Sequence, residues 1–228
     1  MKNQLTLLFV LISTSFVWSQ NSCSKFYPFS EGVTSQITTY NKKGDVAAIV
    51  NYKVTNVSSN GSAETATMFS TIEDHKGERI AETTYDVTCR DNVVSIDFKS
   101  MMNPQIFEQF GEMKYDISGT NIDLPNDLSV GQSLPDADMK MKIDMGGINM
   151  NMNVAMKDRN VVGKESVTTP AGTFECFVIT YTSEVKMGMN QTGTAKQWIA
   201  EGVGMVKQED YNNKGKVMSS SLLTSFSK

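Results

Sequence analysis

After about residue 30, apolar and polar residues follow one another in short runs broken by clusters of Asn, Asp, Gly and Lys. A strand sends successive side chains to opposite faces, so this pattern predicts β structure. Residues 35–40 form a first β-rich run. Asn41-Lys-Lys-Gly-Asp45 turns it into a strand over 46–57, with Ile49, Val50, Tyr52, Val54 and Val57. Turns at 58–61, 75–78 and 90–92 separate further strands over 63–74, 79–89 and 93–98. Later strands are expected over 160–168, 173–186, 194–200 and 205–211, with a last one ending near Phe226. Short strands at regular spacing are the signature of an antiparallel sandwich or barrel.

Two segments depart from the pattern. Asn103-Pro104 begins a run in which Ile106, Phe107 and Phe110 share one face, and Gly111 follows. That predicts a short helix over 103–110. Residues 124–138 hold Pro125, Gly131 and Pro135 among acidic residues and read as a loop. Their spacing matches no EF-hand.

The strictest alternation lies in a methionine-rich hairpin. Met139, Met141, Ile143 and Met145 alternate with Lys140, Lys142 and Asp144. Gly146-Gly147 is a two-residue turn. Ile148, Met150, Met152 and Val154 then alternate with Asn149, Asn151 and Asn153. Such a turn pairs Met145 with Ile148, Ile143 with Met150, Met141 with Met152, and Met139 with Val154. A slip of one residue would invert both faces, so the register is fixed. Val185, Met187 and Met189 repeat the theme, with Lys186, Gly188 and Asn190 opposite. Methionine adapts to irregular surroundings. The face is therefore either core filler or a cradle for a lipid or other apolar ligand. Met-x-Met spacing also suits Cu(I), but the hairpin lacks histidine and cysteine. The expected ligand-binding residues are Met139, Met141, Ile143, Met145, Met150, Met152, Val154, Met187 and Met189; no metal ligand is expected.

Composition narrows the function classes. Of 228 residues, 39% are hydrophobic and 20% charged, enough for a packed core. A net charge of -4 argues against nucleic acid as a partner. The single histidine, His75, sits in a turn beside Lys76. It excludes a multi-histidine site and leaves a serine triad without a marked base. There is no G-x-S-x-G elbow and no G-x-G-x-x-G loop. No catalytic residue or cofactor is assigned, and a non-enzymatic protein is expected.

Met1-Lys2-Asn3 followed by an apolar run from Leu5 to Val17 reads as a secretory signal peptide over residues 1–20. Residues 21–228 then form one domain. The run is short for a membrane span, so an integral membrane protein is not expected. The protein is expected in the periplasm or at the outer membrane, with an apolar small molecule, a lipid or an envelope protein as partner. Export permits a disulfide, and Cys23, Cys89 and Cys176 allow three single bonds, among which the sequence does not choose. A Cys23–Cys89 bond would tie the mature N-terminus to a strand end. Lipidation of Cys23 is the other fate, disfavoured by the polar residues Gln20-Asn21-Ser22 before it.

Three stretches carry a family resemblance: Tyr40-Asn-Lys-Lys-Gly44, Thr169-Pro-Ala-Gly-Thr-Phe-Glu-Cys-Phe-Val-Ile-Thr-Tyr181, and Trp198-Ile-Ala-Glu-Gly-Val-Gly-Met-Val-Lys-Gln-Glu209 with Tyr211 and Lys214-Gly-Lys216. Leu124-Pro125 through Asp136 also fits. Together they resemble the TapB-like family of exported Bacteroidota proteins, relatives of a large domain-of-unknown-function group. The resemblance implies a strongly curved antiparallel sheet, barrel-like or partly open, similar to periplasmic lipoprotein carriers. It implies no catalytic residues. Pro170 and Gly172 suit a tight turn, and Gly202 and Gly204 suit positive φ or a close backbone approach. The expectation is an all-β domain of about a dozen antiparallel strands with one short helix. Its expected role is to bind or carry an apolar ligand, or to act as an envelope scaffold with a filled core.

Overall fold

The computed structural model describes residues 23–97, 114–144 and 149–228. The expected signal peptide, the helix at 103–110 and the turn from Met145 to Ile148 lie outside the described residues. The chain forms β1 (Thr34–Asn41), β2 (Val46–Asn60), β3 (Ala63–Glu73), β4 (Arg79–Arg90), β5 (Val93–Asp97), β6 (Lys114–Gly119) and β7 (Asn121–Pro125). There follow β8 (Ala137–Asp144), β9 (Asn149–Thr169), β10 (Gly172–Met187), β11 (Met189–Ala200), β12 (Gly204–Asn212) and β13 (Val217–Ser227).

All thirteen strands join one antiparallel sheet in the order β6-β8-β9-β10-β11-β12-β13-β1-β2-β3-β4-β5-β7. The first strand is central, paired with β13 on one side and β2 on the other. The two edge strands, β6 and β7, are consecutive in the chain, with only Thr120 between them. One residue therefore connects the two edges, and the sheet must curl into a nearly closed barrel. At this seam the Thr120 N–H donates to the Asp138 carbonyl and the Asp138 N–H donates to Thr120 Oγ1, both at 2.9 Å.

Arg159 ties the seam a second time. Its Nη1 donates to the carbonyls of Asp123 on β7 (3.0 Å) and Pro135 (2.7 Å). The loop over 126–136 runs along β9, where Gly131 N–H donates to Val161 O and Leu134 N–H to Arg159 O, each at 2.7 Å. The sequence pattern suggests separate strands over 148–154 and 160–168, but β9 is one strand of 21 residues. Register shifts against β10 absorb the break in alternation, and Asp158 adopts φ 52° there. Such bulges bend a strand without ending it.

Strands β10 and β11 are buried on both faces over residues 176–179 and 198–200. Phe177, Ile179 and Ile199 join the main core with Val54, Val87 and Leu124. Their sequence neighbours Cys176, Val178, Trp198 and Ala200 join a second cluster. That explains why 174–179 lacks the alternation of a half-exposed strand.

One end of the barrel is plugged by residues 23–33. Phe26 is fully buried and meets Phe177 edge-on at 5.8 Å between ring centroids. A disulfide joins Cys23 to Cys89, while Cys176 is a buried free thiol. The Cys23 sulfur is thus engaged with β4. Asn126 accepts from Lys25 N–H (2.9 Å) and donates to Cys23 O (2.8 Å), and Gly202 N–H donates to Lys25 O (2.8 Å). Gly204, at φ 86°, lets the chain pass Tyr27 so closely that a Cβ would stand 3.1 Å from the ring.

Candidate functional site

Strands β6, β8, β9 and β10 build the methionine face at the other end. The backbone pairs Met139 with Val154, Met141 with Met152, and Ile143 with Met150, the register the alternation requires. The rows extend sideways: Ile117 pairs with Met141, Val154 with Val185, and Met152 with Met187. Met139 and Met141 are buried, at 2% and 3% exposure. Met152, Val154 and Val185 are half-buried. The side chains of Ile143, Met150 and Met187 are outside the described set, as is all of Met145. Along β10 the same face alternates on through Tyr181 and Ile179 to Phe177. Half-buried Ser183 and the buried phenol of Tyr181 stand on this face between the methionine rows and the core.

Met189 departs from the expected arrangement. Gly188, at φ 72°, turns the chain, so Met189 opens β11 and pairs back on Met187. It is 76% exposed. The hairpin stands proud of its neighbour, because β12 reaches only as far as the pairing of Gly193 with Asn212. Met189 lies four residues beyond that level, roughly 13 Å along the strand.

Between the methionine face and the plug lies a polar belt that the sequence pattern does not reveal. Arg159 is 2% exposed, and its Nε has no hydrogen-bond partner. Burial lowers its pKa, opposed by the nearby phenols of Tyr27 and Tyr181. Burial likewise raises the phenols of Tyr27, Tyr85 and Tyr181, and pushes Tyr52 up to about 12. These hydroxyls are therefore protonated donors across the physiological range. The sequence signal for Arg159 is the lost alternation at Lys157-Asp158-Arg159-Asn160, where β9 bulges.

The outer wall carries a second network. Glu165 accepts from Trp198 Nε1 at 2.7 Å and from Lys196 Nζ at 2.9 Å. Lys196 and Lys207 lie over the Trp198 ring at 4.6 and 4.5 Å from its centroid. Lys207 pairs with Glu209 at 2.7 Å, and the Tyr211 hydroxyl donates to Glu209. This network covers a buried indole and gives Trp198 a structural role. Two clefts of about 430 and 370 Å³ open beside these strands, one along Phe174, Cys176 and Glu201, the other along Tyr181, Lys196 and Tyr211. Neither is lined by a methionine of the expected site. His75 is exposed in its turn, 4.0 Å from Asp74. Among the described residues no helix is long and apolar enough to cross a membrane.

The described residues thus form a nearly closed barrel, plugged at one end and carrying an apolar face at the other. The DUF3108-like family model matches residues 30–223, and the chain belongs to that family. Its fold is shared with a presumed exported protein of YmcC-like fold from Bacteroides fragilis, at 22% identity and a TM-score of 0.75 over 90% of this chain and 100% of that one. A presumed lipoprotein from Parabacteroides distasonis gives 23% identity and 0.74 over 90% and 99%. No curated protein matches the chain.

Proposed function

We propose that the protein is a non-enzymatic component of the cell envelope that binds or carries an apolar ligand such as a lipid through its methionine face. One observation carries the reading. The face runs from half-buried Met152, Val154 and Val185 inward to buried Met139 and Met141. Methionine-rich faces accept varied apolar shapes, and small barrels hold such ligands at their mouths. The signal-like start from Met1 to Val17 supports export, to the periplasm or the outer membrane. The three family stretches support the finer TapB-like assignment.

A second reading is an envelope scaffold with a filled core, favoured by the burial of Met139 and Met141. Titration with the fluorescent fatty acid cis-parinaric acid separates the two. The carrier reading expects micromolar binding, weakened at least about tenfold by Met152→Lys, because a half-buried cation on an apolar face opposes an acyl chain. No binding by the wild-type protein, or unchanged binding by a folded Met152→Lys variant, rejects this site and leaves the scaffold.

A further inference from the structure

Three hairpin turns repeat one five-residue pattern: Asn41-Lys-Lys-Gly-Asp45, Asp74-His-Lys-Gly-Glu78 and Asn212-Asn-Lys-Gly-Lys216. In each, the side-chain oxygen of the first residue accepts from the N–H groups two and four positions on. Asn41 does so at 2.8 and 3.2 Å, Asp74 at 2.8 and 2.9 Å, and Asn212 at 2.9 and 3.0 Å. The glycine in each has φ between 70° and 88°. The same device thus presents the same residue three times: Lys43, Lys76 and Lys214, all exposed. Among the described residues none of the three is paired with a carboxylate.

The register places the three turns together. Asn41 pairs with Ser219 just past the third turn, and Ile49 just past the first pairs with Glu73 just before the second. All three therefore lie at the end opposite the disulfide plug, where the methionine hairpins also project. Lys42, Lys43, Lys76, Arg79, Lys214 and Lys216 stand there against Asp45, Glu73, Asp74, Glu78 and Glu82, with Arg79 paired to Glu82 at 3.3 Å. At the plugged end Glu31, Glu64, Asp91, Asp127 and Glu201 outnumber Lys25, Arg90 and Lys228. A chain of net charge -4 thus keeps a slight positive excess at this end, carried by the exposed lysines of the turn tips.

Apolar exposure is concentrated at the same end. Of six large hydrophobic side chains exposed among the described residues, four lie in or beside its turns: Ile80, Met189, Val217 and Met218. They sit on three hairpin tips, with Val217 and Met218 sharing one, and two of the tips carry lysines. A fixed protein partner is best served by one contiguous apolar patch. Isolated apolar tips among cations suit a fluid interface, where each tip enters the acyl boundary and each lysine meets an anionic headgroup.

We propose that this end of the barrel docks on an anionic lipid surface, with Lys43, Lys76 and Lys214 as its electrostatic contacts and Met189 and Met218 as its apolar ones. The proposal does not depend on the carrier reading, since a scaffold can dock in the same way.

Residues 21–228 would be sedimented with phosphatidylglycerol–phosphatidylethanolamine vesicles and with phosphatidylcholine vesicles, at low and high salt. Binding is expected only to the anionic vesicles and is expected to fall at least about tenfold in 0.5 M salt. A basic residue near such a surface contributes about fivefold. Reversing all three as Lys43→Glu, Lys76→Glu and Lys214→Glu is therefore expected to lower partitioning at least about a hundredfold with an unchanged thermal midpoint. Met189→Asp tests the apolar contact separately and is expected to weaken binding several-fold. Absence of binding to the anionic vesicles, or wild-type binding by the folded triple variant, overturns the proposal. Fatty-acid binding measured without vesicles reports on the carrier reading alone, so the two can fail independently.

Discussion

At the plugged end, Cys23, Lys25 and Phe26 hold residues far away in sequence: Cys89, Asn126 and Phe177. At the other end, each lysine-bearing turn is held by its own first residue, and every bond spans at most four positions. The plug thus contributes to global stability, whereas each turn is locally self-sufficient. A locally satisfied turn can present any side chain at its tip without cost to the core, which is what a contact surface needs. The long-range end admits little variation, because each side chain there serves a distant partner.

This contrast can be broken or sharpened by measurement. The largest effect is expected from Cys23→Ser with Cys89→Ser. The bond closes a loop across 66 positions, and cross-linking a loop of that size stabilises by about 4 kcal/mol. Urea unfolding with and without reductant measures it; a loss under about 1 kcal/mol would show that the plug is not where stability resides. Next is Arg159→Met, which leaves the Asp123 and Pro135 carbonyls without their donor. About 3 kcal/mol should be lost, together with hydrogen-exchange protection in β7. Unchanged protection there would remove Arg159 as the seam's tie.

The smallest effect concerns acid. Hydrogen bonds from Lys196 and then Trp198 hold the Glu165 carboxyl below its ordinary value of 4.5. The folded pKa is thus below the unfolded one. The stability it contributes is complete above that value and is lost as pH falls through the lower folded value. Glu165 is 48% exposed, so solvent screening limits the effect to less than about 1 kcal/mol. Wild-type protein should lose thermal stability between pH 5 and pH 3 more steeply than Glu165→Gln. Parallel curves would show that this carboxylate contributes nothing measurable.

The strands were legible where one face is wet, because there the alternation is complete. The Met139–Val154 register follows from sequence alone for that reason. Pro170, Gly172, Gly202 and Gly204 also announced their turns, since few other residues tolerate those backbones. Three features were hidden. β9 reads as two strands because its bulges interrupt the period at Asp158 and Arg159. Strands β6 and β7 are too short and polar to signal themselves. Arg159 looks like any charged residue of a solvated strand, and only the closing of the barrel buries it. The repeated turns were visible as turns, but their common end depends on a sheet order that no local pattern encodes. The methionine rows were legible as one face of a hairpin. Its depth was not, because burial of Met139 and Met141 depends on distant parts of the chain.

The central pairing of β1 with β13 has a kinetic consequence. A chain emerging N-terminus first presents residues 34–41 long before residues 217–227 exist to flank them. Pairings between distant segments are slow to form, because loop closure precedes any gain. Until the last eleven residues arrive, a central strand exposes an unsatisfied edge. The domain is thus a structure completed at its middle, and the final strand acts as a release step for folding. A chain stalled just short of Val217 would be held open, with β1 and β12 both awaiting the same partner.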